Sequence, residues 1–141
     1  MVITPTKFRN QVLKELNHLR QHATKEEKEK LNFESLKTTN VTTCIYGQMT
    51  GKCSSPRAKE LYSKVYNNLL GIGINFERTF AEDTIYGFTP LESYITMFSN
   101  YSTHLKEILE FIKEERDEIT LDLEKIKKRF KVIGYKKNKD D

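Results

Sequence analysis

Apolar residues recur every three or four positions near the start of the chain, at Phe8, Val12, Leu16 and Leu19. That spacing puts one apolar stripe along a helix. Thr4-Pro5 supplies an N-cap and a proline for the first helical position. Thr24 and Glu27 form a T-x-x-E capping box, which predicts a second short helix carrying Leu31, Phe33 and Leu36 and ended by Thr38-Thr39-Asn40. The run Val41–Tyr46 is β-branched and aromatic, and predicts a short extended segment. Gly47 and Gly51 then bracket an expected turn. Ser55-Pro56 opens another helix to about residue 70, with Ala58, Leu61, Tyr62, Val65, Tyr66 and Leu69 inward and Gly71 and Gly73 closing it.

Residues 75–88 lack a period but carry Phe76, Phe80, Tyr86 and Phe88, which predicts an aromatic loop over the core. Thr89-Pro90-Leu91-Glu92 combines N-cap, first-turn proline and capping-box glutamate, and starts a helix ending near Ser99-Asn100. From Ser102 the pattern reads helical to Val132 through Leu105, Ile108, Ile112, Ile119, Leu123, Ile126 and Phe130. No Gly or Pro interrupts, so this is one helix of about 30 residues or two with a break near Thr120. A helix of that length projects from a chain this small and offers a coiled-coil-like seam for self-association. The expected fold is mainly α: about five helices in a compact bundle, a long C-terminal helix, and one short extended segment before the glycine turn. Residues 1–135 form the single helical domain, and 136–141 a polar tail.

Composition narrows the class. The chain has 141 residues, 37% hydrophobic and 31% charged, which suits one domain with a modest core. Eight Phe and seven Tyr give that core bulk and argue against disorder. No apolar run approaches the roughly 18 residues of a membrane span. The start MVITPTKFRNQ has no signal-peptide core, and two cysteines do not make a disulfide scaffold. The expectation is a soluble, cytoplasmic domain with no membrane contact.

Charge adds a second feature. The net charge is only +4, yet Lys125, Lys127, Lys128, Arg129, Lys131, Lys136, Lys137 and Lys139 fall in one stretch with a single acid, Glu124. The helix dipole favours such a basic end without any partner. The same cations would also hold phosphates by counterion release, which makes nucleic acid an alternative ligand at Lys125, Lys127, Lys128, Arg129 and Lys131. Acids at Glu114, Glu115, Asp117 and Glu118 precede the stretch and would oppose a long duplex.

The densest chemistry lies between Cys44 and Arg57. Gly47 and Gly51 permit close approach of a ligand. Thr50, Ser54 and Ser55 supply hydroxyls, Lys52 and Arg57 supply cations, and a helix starts among them. These seven residues form a candidate anion site for a small phosphorylated ligand. The loop is not a nucleotide-binding P-loop: three residues instead of four separate its glycines, and Cys53 stands where Ser or Thr is required. The structural reading is a tight turn feeding a capped helix. His18 and His22 have the i, i+4 spacing of metal ligands, but Cys44 and Cys53 are too far apart for a zinc knuckle. Two buried thiols and two helix-surface histidines are the plainer reading. Nothing local activates a nucleophile except the helix start near Cys53. No catalytic residue, cofactor or metal is expected.

The run Cys44-Ile45-Tyr46-Gly47-Gln48-Met49-Thr50-Gly51-Lys52-Cys53, followed by Ser54, Ser55, Arg57 and Ala58, resembles a segment of small uncharacterised bacteriophage proteins. Phe88-Thr89-Pro90-Leu91-Glu92 and the aromatic helix after it are similar too, and together the two segments cover a third of the chain. The resemblance implies a phage accessory protein in the host cytoplasm and supplies no catalytic residues. Proteins of that class often work by binding. The expected function is therefore non-enzymatic: inhibition of a host defence protein by direct contact.

Overall fold

The computed structural model describes residues 5–38, 40–63, 89–97, 102–114 and 117–132. Among them the chain is helical, with no strand. Helix α1 spans Pro5–His22, α2 Lys25–Glu29 and α3 Ile45–Thr50. Helix α4 starts at residue 56 and is described to 63. Helices α5, α6 and α7 span Pro90–Met97, Ser102–Ile112 and Leu123–Val132.

The first helix organises the rest. Phe8, Val12, Leu16 and Leu19 are all fully buried, as the stripe requires. Helices α5, α6 and α7 each pack against α1. The Phe8 and Tyr94 rings meet at 6.4 Å, and the Arg20 guanidinium covers the Phe111 ring at 5.0 Å. Leu121 and Ile126 extend the core to the last helix, and the buried hydrophobics form one continuous cluster. Each large apolar side chain fully removed from water contributes about 1.5–3 kcal/mol before entropy is counted.

The capping box at Thr24 is present: Glu27 N–H donates to Thr24 Oγ1 at 3.1 Å, and Thr24 N–H to Glu27 Oε1 at 2.8 Å. The helix it starts is shorter than expected. Lys30 caps it, and Leu31, Phe33 and Leu36 pack from the connection that follows. The amide of Gln48 accepts from Asn32 N–H and donates to Asn32 O, binding this connection to α3.

Two further expectations are corrected. Val41–Tyr46 is not an extended strand. Residues 41–43 turn, Cys44 alone keeps extended backbone as the N-cap of α3, and Ile45 and Tyr46 are helical and buried. Gly47 accordingly lies inside a helix, and only Gly51, at φ 100°, ends it. The single long C-terminal helix is also absent, and the alternative of two helices with a break near Thr120 is the one found. Helix α6 stops at Ile112, Glu114 takes a left-handed φ of 68°, residues 117–122 are non-helical, and α7 starts anew. Asp122 caps it by accepting from Lys125 N–H at 3.1 Å. A seam of 30 residues for self-association therefore has no basis.

The second predicted capping box holds: Thr89 and Glu92 exchange their bonds at 3.2 and 3.4 Å, and α5 follows. Thr4, Val65, Tyr66, Leu69, the aromatic stretch 75–88, the end near Asn100 and the tail 136–141 lie outside the described residues. Among those described, no helix is long and apolar enough to cross a membrane.

Candidate functional site

The predicted anion site is assembled, but most of its polar groups bond within the fold. Gly47 is buried beneath the 41–43 turn, where a Cβ would sit 2.3 Å from the Val41 carbonyl oxygen. Glycine is therefore a packing requirement at this position. Thr50 Oγ1 reaches Tyr46 O at 2.6 Å and Lys52 O at 3.0 Å. Ser55 Oγ donates to Thr50 Oγ1 at 3.0 Å and accepts from Ala58 N–H at 3.2 Å, capping α4. Both hydroxyls thus serve helix ends.

Arg57 has the fullest set of partners. Its Nε and Nη2 hold Glu27 through both carboxylate oxygens at 2.9 Å. Its Nη1 holds Glu60, and Nη2 also donates to His22 O at 3.1 Å. This fork ties the ends of α1 and α2 to α4. Hydrogen bonding to Glu27 pushes the guanidinium above its ordinary range, and the same bond pulls the Glu27 carboxyl below its own. An anion would have to displace two carboxylates. Gly51, Lys52 and Ser54 remain exposed.

The basic alternative is split between described and undescribed residues. Lys125, Lys127, Lys128, Arg129 and Lys131 all fall on α7. Lys128 is exposed, Lys125 half-buried, and Ile126 between them is anchored in the core. Lys136, Lys137 and Lys139 lie outside the description. Two of the four opposing acids have counter-cations: Glu114 pairs with Lys28 at 2.9 Å and Asp117 with Arg20 at 3.4 Å.

The structure also brings together a cluster that the sequence reading missed. Glu15, on α1, is fully buried between α3 and the start of α5. Tyr46 donates its hydroxyl to Glu15 Oε2 at 2.6 Å, and Leu91 N–H donates to Oε1 at 2.8 Å. Burial pushes this carboxyl up to about 7, although Thr89, Tyr46 and Leu91 pull it back down and Glu92 adds repulsion. Glu92 is buried as well and is raised for the same reason. Cys44 accepts from Gly47 N–H at 3.3 Å, and burial pushes its thiol up to about 12. It is a neutral capping group, since thiolates need the opposite shift. The Tyr46 ring meets Tyr62 edge-on at 5.2 Å. One signal for Glu15 was available: it stands among Val12, Leu16 and Leu19 on the buried face of α1. The cluster can hold a proton near neutral pH, but a fully buried carboxyl offers no surface to a substrate.

A third polar group lies across α1. Tyr94 Oη and His104 Nε2 are 2.6 Å apart, and Asp122 N–H donates to the same hydroxyl at 3.4 Å. Burial pulls His104 below the usual imidazole range. His104, Glu107 and residues 120–125 border an open groove of about 530 Å³. Its lining carries three acids, Glu107, Asp122 and Glu124, against one lysine, Lys125, beside His104.

No protein-family model, curated protein or solved structure matches this chain.

Proposed function

We propose that the chain is a non-enzymatic binding protein, a phage-type accessory protein that inhibits a host protein by direct contact. One observation carries the reading. Residues 40–43 form a braced surface turn that holds out Val41, 54% exposed and the only exposed large hydrophobic among the described residues. Asn40 braces the loop: its side chain accepts from Thr42 N–H and hydroxyl at 2.9 and 2.8 Å, and its carbonyl from the N–H groups of Thr43 and Cys44. Lys37 N–H donates to Thr43 O at 3.1 Å, and Cys53 N–H to Val41 O at 2.9 Å. A loop ordered in advance avoids about 0.5–1.5 kcal/mol of ordering cost per immobilised side chain on binding. The neighbouring anion-site residues Thr50, Ser55 and Arg57 are engaged internally, which favours a contact surface over a small-ligand pocket.

The test is a mass-resolved pull-down from a bacterial lysate, with nucleases added to half of it, using wild type and Val41→Asp. A protein captured in both halves by wild type and lost with Val41→Asp supports the reading. Capture of the same protein by both forms removes the loop from the interface. Capture only without nucleases favours the second reading, nucleic-acid binding on α7. That reading draws support from the pairing of Glu114 and Asp117, which reduces the repulsion expected beside the basic stretch. It predicts affinity falling steeply with salt.

A further inference from the structure

We propose that His18 and His22 form a two-imidazole chelate for a borderline divalent cation, Zn²⁺ foremost, at the C-terminal end of α1. The spacing i, i+4 stacks side chains one turn apart on one helix face. The structure brings the two rings to a centroid separation of 4.4 Å with 38° between their planes. Zinc–nitrogen bonds of about 2.0–2.1 Å at a tetrahedral centre need the two nitrogens about 3 Å apart. Chelation therefore requires the two facing rings each to turn one nitrogen toward a common centre. His22 is exposed and His18 half-buried, so a hydrated ion has access.

The local field also suits a cation. Both histidines stand in the last two turns of an 18-residue helix, where the aligned peptide dipoles leave partial negative charge. Two cations sit on the last carbonyls of α1, Lys28 on Arg20 O and Arg57 on His22 O, and each is held by carboxylates, Lys28 by Glu114 and Arg57 by Glu27 and Glu60. Among the described residues no group of three or more His, Cys, Asp or Glu side chains could hold a metal. The protein therefore supplies two ligands, and water completes the shell. Such an open site differs from closed structural zinc, and binding requires both imidazoles neutral.

The experiment is a titration of the full chain with zinc chloride, read by the histidine ring signals in NMR and by calorimetry at pH 7.5. The expected result is one saturable site that shifts the His18 and His22 signals together and leaves His104 in place. His22→Ala, an exposed change that spares the fold, lowers the affinity at least tenfold, and Cys53→Ser leaves it unchanged. Undiminished binding in His22→Ala, or no saturation by about 0.1 mM zinc, overturns the proposal.

Discussion

Replacing Glu15 by glutamine isolates the free energy of a carboxyl that the fold holds more readily protonated. Its value rises from 4.5 in an open chain to about 7 in the folded one, chiefly through burial. Between these values the native state binds a proton that the unfolded state has lost. Stability from this group is therefore complete below pH 4.5 and declines as pH rises to about 7. The shift corresponds to about 3 kcal/mol. Glutamine removes the charge and keeps the shape. Its Oε1 takes the Leu91 N–H, and its amide donates to the Tyr46 oxygen once that hydroxyl rotates. Wild type and Glu15→Gln should be nearly equal in stability at pH 4.5. At pH 8 the variant should be more stable by about 3 kcal/mol, or about 10 °C in Tm for a chain of this size. Urea unfolding of both proteins across that range measures the gap, and taking the difference cancels the titrating groups that do not interact with Glu15. Parallel stability curves would refute the reasoning, as would a wild type more stable than the variant at pH 8. Either result would mean that the three donors fully compensate the buried charge.

Other positions give equally direct tests. Gly47→Ala places a methyl 2.3 Å from one backbone atom and 2.7 Å from another, so urea unfolding should show a loss of about 2–4 kcal/mol. Leu16→Ala, at a fully buried position, should cost about 2–5 kcal/mol in the same assay. Arg57→Lys keeps the charge but cannot span both oxygens of Glu27, and should lower stability by about 1 kcal/mol with the Tm falling accordingly. In the folded protein at pH 8 a thiol reagent should modify the half-buried Cys53 first. Cys44, buried and raised to about 12, should react only on unfolding, and equal rates would contradict its placement.

What was readable in the sequence is what short-range physics decides. The α1 stripe and both T-x-x-E boxes depend on residues three or four apart, and all three occur as expected. The failures have longer-range causes. Val41–Tyr46 has strand propensity, but Cys44 takes an N-cap role that its residue type does not advertise, and burial of Ile45 and Tyr46 outweighs β preference. The break after Ile112 is made by Glu114 in a conformation usually left to glycine. Its one sequence trace is the polar gap between Ile112 and Ile119. At the candidate site the cations and hydroxyls were visible one by one. The partner of Arg57, thirty positions upstream, was not, and it makes that side chain part of a helix junction.

The central place of α1 bears on the order in which this chain folds during synthesis. Its stabilising neighbours are distant: Glu15 meets Leu91, Phe8 meets Tyr94, and Arg20 meets Asp117. At about 5–20 residues per second, the ribosome needs several seconds to deliver them. Through that interval the apolar stripe of α1 has no native cover from α5, α6 or α7. The chain would acquire its native core late, when the second half has emerged, rather than from its leading end onward.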